Sequence, residues 1–144
     1  MATNVQDIVV AIRNKMLGVS GLVTVYAYEP DAPVNGGYPF ATVTQRSFDG
    51  QFGDTIRNIR QFTFSIRVYQ ERVQVATGNE KAERLIREII DETLTAFDAD
   101  TTLSGTVKWV KPIRGDLSYI DREIGDTRVC ELIVEATTVV PSVT

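Results

Sequence analysis

The chain has 144 residues, of which 43% are hydrophobic and 24% are charged, and its formal net charge at pH 7 is −4. This length and composition predict one globular domain, and the acidic balance with scattered Lys and Arg argues against a protein that grips nucleic acid. The chain contains no histidine and one cysteine, which excludes His-dependent nucleophilic catalysis, the usual zinc sites and an intrachain disulfide.

The first 48 residues predict a helix followed by two strands. Residues 3–17 carry apolar side chains at helical spacing, and glycines follow them. Residues 22–28 predict a strand, and residues 29–39 predict a long loop rich in Pro and Gly. Residues 40–48 predict a second strand, which we expect to pair with the strand that follows it as a long hairpin.

A turn is predicted over residues 49–54, which contain two glycines and two aspartates. Phe52 lies within this segment. A large apolar side chain at a turn either folds back onto the core or awaits a partner, and the sequence leaves both alternatives open.

The segment from Arg57 to Phe97 forms the centre of the predicted fold. Apolar and polar residues alternate along its first part, which predicts a strand with one buried face. The residues of that face are Phe62, Phe64, Ile66 and Val68. Upstream, Ile59 breaks the alternation, and a bulge there is one explanation.

A long amphipathic helix is predicted after this strand, with Asn79 as its N-cap. Its apolar stripe is long enough to cover one face of a sheet. The stripe consists of Ala82, Leu85, Ile86, Ile89, Ile90, Thr93, Leu94 and Phe97.

Two further strands are predicted near the end of the chain. Residues 105–113 form the first, with Val107, Trp109 and Ile113 on one face and Pro112 indicating an edge or a strand end. Residues 114–127 predict a loop or a ragged hairpin, and residues 128–140 predict the last strand. The order is α-β-β-β-α-β-β, so we predict an α+β fold: a mostly antiparallel sheet with an N-terminal helix and one long central helix packed on it.

Three short motifs could suggest chemistry, and each has a simpler interpretation. Residues 98–102 match the phosphotransfer pattern D-x-D-x-T, but they follow a helix instead of a buried strand, which favours a solvated loop. Residues 114–116 spell Arg-Gly-Asp, which we interpret as a tight turn. Asp91 and Glu92 are adjacent and so do not face each other on a helix.

We interpret Cys130 as a buried structural thiol, because a catalytic thiol requires a basic partner. We therefore expect no enzyme activity, no cofactor and no metal site.

No apolar run approaches the length of a membrane span, and the N-terminus lacks the pattern of a signal peptide. The order of elements, the alternating strand at residues 62–69 and the helix at residues 82–90 resemble the tail terminator, or tail-completion, proteins of long-tailed phages. This resemblance covers nearly the whole chain.

The resemblance implies a structural virion protein at the head–tail junction, made in the host cytoplasm. Proteins of this family form a ring, usually of six copies, on the last layer of the tail tube. The ring ends tube polymerisation and joins the tail to the head connector. The implied partners are copies of this chain, the tail tube protein and a connector or neck protein. DNA would pass through the ring without sequence-specific binding.

Ring contacts in such an assembly would use surfaces that a monomer exposes. The candidates for subunit or partner contacts are Tyr38, Phe52, Arg57, Arg60, Arg67 and Tyr119. The arginines would pair with acidic residues of a neighbour, or would simply line a solvated strand face. Two alternative functions stay open: another neck or head-completion connector protein, and a small metal-dependent enzyme on an α+β fold.

Overall fold

The computed structural model describes residues 5–28, 39–52, 57–71, 79–103, 105–122 and 125–141. In chain order the elements are α1 (Val5–Leu17), β1 (Thr24–Tyr26), β2 (Phe40–Phe52), β3 (Arg57–Glu71), α2 (Asn79–Ala99), β4 (Trp109–Arg122) and β5 (Gly125–Pro141). The strands form one sheet in the order β1-β2-β3-β5-β4, in which β1 and β2 are parallel and the other pairs antiparallel. The predicted α+β class and order of elements are confirmed.

Strand β3 lies at the centre of the sheet between β2 and β5. Its alternation produces the predicted buried face, since Phe62, Phe64, Ile66 and Val68 are all at most 7% exposed. The ladder between β3 and β5 has no shift, so the irregularity suspected near Ile59 is not there. A bulge lies instead in β2, between Gln45 and Ser47.

The two helices pack on the same face of the sheet and supply much of its main core. Each presents one buried stripe at helical spacing. The stripe of α2 is narrower than predicted, since Leu85 and Ile90 are half-buried and Leu94 is 36% exposed. The buried residues are Ile8, Val9, Ile12 and Met16 of α1, and Ile86, Ile89, Thr93 and Phe97 of α2. Burying each large apolar side chain contributes roughly 1.5–3 kcal/mol before the conformational entropy is subtracted. We call this side of the sheet the helix face and the opposite side the outer face.

A smaller apolar cluster lies on the outer face, at the end of the sheet near β1. It consists of Tyr26, Phe40, Tyr69 and Val129. The rings of Phe40 and Tyr69 are stacked with centroids 4.7 Å apart, and Tyr26 meets Phe40 edge to face at 5.8 Å. Aromatic pairs of this geometry stabilise a fold beyond their buried area, so they hold the short β1 against β2.

Two predicted strand boundaries on the N-terminal side are wrong. Strand β1 has three residues, instead of the seven predicted. Strand β2 continues to Phe52, so Asp49 and Gly50 lie in the hairpin and not in a turn. The reason is the partner strand, because Gly50 pairs with Arg60 and Phe52 with Asn58. A ladder to a long neighbour outweighs the weak local preference of Asp and Gly for turns.

The prediction for β4 is also corrected. This strand begins at Trp109 and runs to Arg122, which makes β4 and β5 the ragged hairpin that was one of the two alternatives. Residues 114–116 therefore lie in a strand next to a bulge, between Pro112 and Arg114, and not in a tight turn. The predicted position of Pro112 in an edge strand is confirmed. Trp109, expected to lie with Val107 on one face, is 43% exposed while Val107 is buried.

Candidate interaction surface

The predicted contact residues do not form one cluster in the described structure. Tyr38 lies outside the described residues. Phe52, Arg57 and Tyr119 have described backbones in β2, β3 and β4, but their side chains lie outside the description. Arg60 is exposed in β3. Whether these residues contact a neighbour stays a prediction.

Arg67 makes an ion pair within its own chain, on the outer face. Its Nε donates to Glu131 Oε2 at 3.1 Å, and the Ser65 hydroxyl donates to the same oxygen at 2.8 Å. These bonds from Ser65 and Arg67 favour the ionised carboxylate and lower the pKa of Glu131, although partial burial opposes the shift. The sequence did not reveal this cluster, because Glu131 is 64 residues from Arg67 and reaches it only through the β3–β5 ladder.

A depression of about 300 Å³ lies beside this cluster. Its lining is Thr44, Gln45, Arg46, Ser65, Arg67 and Glu131. Arg46 acts on Glu131 as well, since its charge helps to lower the carboxyl pKa. The two arginines and the single carboxylate leave this polar depression with a formal charge of +1.

The sheet has two edges on which the described residues provide no partner strand. Strand β4 pairs with β5 alone among the described strands, and its Val110 N–H already donates to the Thr101 carbonyl at 2.7 Å. Strand β2 pairs with β1 only from Phe40 to Thr42, so its remaining ten residues have a described neighbour on one side only. Such edges expose unpaired backbone N–H and C=O groups and are ready to accept another strand.

The exposed large apolar side chains of the described residues follow these two edges. On the side of α1, β1 and β2 they are Val10, Leu17, Val23, Tyr28 and Phe48, and on the side of β4 and α2 they are Leu94, Trp109, Ile113 and Leu117. Val10 and Leu17 are seven residues apart on α1, near Arg13, whose Nε donates to the Val25 carbonyl of β1 at 3.1 Å. We call the two sets the β2 edge and the β4 edge.

An apolar groove of about 320 Å³ runs between α2 and β4. It is lined by Ile90, Leu94, Pro112, Ile113, Arg114, Gly115, Leu117, Cys130 and Leu132. A Cβ at Gly115 would come within 3.0 Å of Leu132 Cδ2, so the missing side chain helps to keep the groove open. Burial raises the pKa of the Cys130 thiol to about 11, which gives this thiol little nucleophilic character.

The motifs that suggested chemistry make structural contacts. Asp98 is exposed, and Asp100 forms an ion pair with Lys15 at 3.0 Å, which ties the end of α2 to α1. Glu92 accepts a hydrogen bond from the Ser20 backbone N–H at 2.8 Å and another from its hydroxyl. In the part of the chain that the structure describes, no three acidic or cysteine side chains are grouped as metal ligands would be. Neither described helix combines the length and apolar character that a membrane span requires.

Comparison with known proteins finds similar solved structures. No protein-family model matches this chain, and no curated protein sequence does. The fold is similar to that of a chain in the virion of a native gene transfer agent (GTA) particle, with a TM-score of 0.53 and 20% sequence identity. The match covers 93% of this chain and 94% of the other. At this identity the likeness is one of fold.

Proposed function

We propose that this protein is a structural component of a phage-like virion, and that it forms a ring at the top of a tail tube. The observation that carries the proposal is the full-length likeness to a chain of a gene transfer agent virion. The shared fold covers 93% of this chain and 94% of the other, so it includes both helices and the whole described sheet. Fold alone does not determine function, so the surfaces of this chain must supply the rest of the argument.

The surfaces support a protein that works by assembly. The sheet has one strand edge at β2 and another at β4, on opposite sides. Exposed apolar side chains lie near both edges. Such edges do not stabilise a monomer. When copies contact one another through two unlike surfaces, the repeated contact closes a ring if the rotation between copies permits. The ring, of six copies in our proposal, would end tube polymerisation and join the tail to the head connector. It would work at the head–tail junction without a catalytic residue or cofactor.

The charge of the chain suits a channel through which DNA passes. A net charge of −4 per copy repels phosphate on average, so a lumen without a Lys and Arg cluster would let DNA slide instead of binding it. A ring structure with a lumen lined by Lys and Arg would contradict this part of the proposal.

The direct test is a tube-capping assay with the tail tube protein of the same particle. Purified tube protein is allowed to polymerise with and without this chain, and tube lengths are measured by negative-stain microscopy. We expect shorter tubes that carry one ring at one end, and a head connector that then binds the capped end. Unchanged tube lengths together with binding to the connector alone would identify the protein as another neck component. Binding to neither partner would refute the proposal.

A further inference from the structure

We propose that successive copies associate head to tail, with Phe48 of one copy inserted into the groove between α2 and β4 of the next. In the same contact residues 43–52 of β2, which have a described neighbouring strand on one side only, add to β4 as an extra antiparallel strand. This inference deepens the proposed function and rests on the part of it that requires several copies. The partner it names is a second copy of this chain.

Phe48 has the exposure expected of a contact residue. Its side chain is 70% exposed, although it stands on the helix face opposite Phe62, with ring centroids 6.5 Å apart. The residues around it, from Gln45 to Gly50, are exposed as well. The exposed Phe48 side chain contributes favourable burial only when another apolar surface covers it.

The groove provides such a surface on the same side of the sheet. The existing ladders place Phe48 level with Phe62, Ala136 and Val110 across the sheet. Pro112, which lines the groove, is two residues further along β4. The Val110 N–H already donates to Thr101, so a next copy can continue the sheet only beyond this residue. A shift of two residues along β4 then brings its Phe48 beside Pro112 and Ile113 of the groove.

The strand directions permit this continuation. The ladders from β2 to β3, β3 to β5 and β5 to β4 are all antiparallel, so β4 runs opposite to β2. A copy related by rotation about an axis along the strands then places its β2 antiparallel to β4. Phe48 and the groove lie on the same face, so neither copy has to turn over. Because the two surfaces differ, the contact repeats from copy to copy and closes a ring.

The charges beside the two surfaces are complementary. Asp49 follows Phe48 and is exposed on the outer face, level with Trp109 of β4 through Gln61 and Thr137. Lys111 is exposed on the same face of β4, two residues from Trp109. With this two-residue shift, Asp49 of the next copy lies opposite Lys111, within reach of an ion pair. The cation nearest to Asp49 on β2, Arg46, already faces Glu131 of its own chain.

The first test mixes two variants that each lose one surface. Phe48→Asp removes the side chain that inserts, and Ile113→Asp places a charge in the part of the groove that receives it. We expect each variant alone to self-associate at least about 10-fold more weakly than the wild type, because a central apolar contact is lost. An equimolar mixture retains one intact pair of surfaces and should give a 1:1 complex that grows no further. Sedimentation velocity at matched concentrations measures both effects.

Glu88→Gln is the matched control, since Glu88 is exposed on α2 away from the groove. If Ile113→Asp is shown by circular dichroism to be unfolded, Leu94→Asp, which also lies in the groove lining, replaces it. A mixture that forms no 1:1 complex, while the wild type associates, would overturn the proposed contact.

The second test detects weak association directly. Phe48 is replaced by the photoreactive p-benzoylphenylalanine, and the protein is irradiated at high concentration. Mass spectrometry then identifies the linked peptides. We expect intermolecular links to residues of α2 or β4 that line the groove. The same probe at position 88 should give none there.

Links from position 48 to another surface, or none between copies, would refute the contact. The proposed function is judged separately, by the capping of tail tubes. If Phe48→Asp caps tubes with rings as the wild type does, the inference fails and the function stands. If the wild type neither caps tubes nor links to itself, both fail.

Discussion

Phe48 and Phe64 are the same residue type on neighbouring strands, yet they have opposite environments. Phe64 is completely buried, whereas Phe48 is 70% exposed. We predict that Phe64→Ala lowers the free energy of unfolding by about 3–5 kcal/mol, because it leaves a cavity in the core. Phe48→Ala should change it by less than about 1 kcal/mol. Urea denaturation of both variants under conditions that keep the protein monomeric measures the difference. A large loss for Phe48→Ala would mean that the side chain stabilises the monomer.

Glu131 makes stability depend on pH in a predictable direction. Because its pKa is lowered in the folded protein, its contribution is present above the ordinary glutamate value of 4.5 and is lost as the pH falls through the folded value. Glu131→Gln should therefore cost about 1 kcal/mol at pH 7, and the difference from the wild type should shrink in acid. Urea midpoints measured from pH 7 to pH 3 test this.

The Ser65 hydroxyl provides an internal control for that prediction. Ser65 donates the hydrogen bond that lowers the pKa of Glu131 most. In a double-mutant cycle, Ser65→Ala and Glu131→Gln should be non-additive, because the second change removes an interaction that the first has already broken. Strict additivity would show that the two side chains act independently.

At the scale of elements, the connection between α1 and β1 depends on one glycine. Gly21 has a φ of +95°, and a Cβ there would lie 3.5 Å from Ile89 Cγ1 of α2. Gly21→Ala should cost roughly 1–2 kcal/mol, because an L-residue is strained in that conformation. Gly50→Ala is the matched change in β2, where φ is not positive and no atom lies within 4 Å of the new Cβ. It should be neutral or slightly stabilising. Thermal unfolding of both variants separates backbone strain from the mere addition of a methyl group.

The sequence predicted those elements whose own residues determine them. The alternation from Phe62 to Val68 and the stripe of α2 both require burial on one side, and both elements form as expected. The lengths of β2 and β4 could not be predicted in this way. Gly50 and Gly115 have weak local preferences, and the ladders to Arg60 and Leu132 place them in strands.

The sequence did not predict the polar contacts at the surface, for a related reason. Glu92 accepts hydrogen bonds from the backbone N–H and the hydroxyl of Ser20, 72 residues away, which no local pattern predicts. These two hydrogen bonds lower the pKa of Glu92, with the one from the Ser20 hydroxyl the larger cause. For Arg67 the sequence left open a contact with a neighbouring copy or a solvated strand face, and it did not predict the ion pair with Glu131 of its own chain. Periodicity shows which face a residue occupies, whereas these partners depend on how distant elements pack.

At the scale of the whole molecule, the buried apolar residues stabilise the fold, and a different, exposed set is available for assembly. The main core is sealed by α1 and α2, and it joins residues of both helices to residues of all five strands or the loops beside them. The exposed apolar side chains lie instead on the β2 edge and the β4 edge. Substitutions at these edges should therefore weaken association and leave the fold intact. A loss of assembly in such a variant can then be attributed to the lost contact.

Trp109 reports on that assembly without a label, since it is the single tryptophan and is 43% exposed at the start of β4. If a neighbouring β2 covers this edge, the indole loses water, and its emission maximum should shift to shorter wavelength as the protein concentration rises. Phe48→Asp should abolish the shift, whereas Glu88→Gln should retain it. Emission that stays constant while sedimentation shows association would place the contact elsewhere on the molecule. In that case β4 would remain an open edge inside the assembly, contrary to the pairing that its free backbone groups favour.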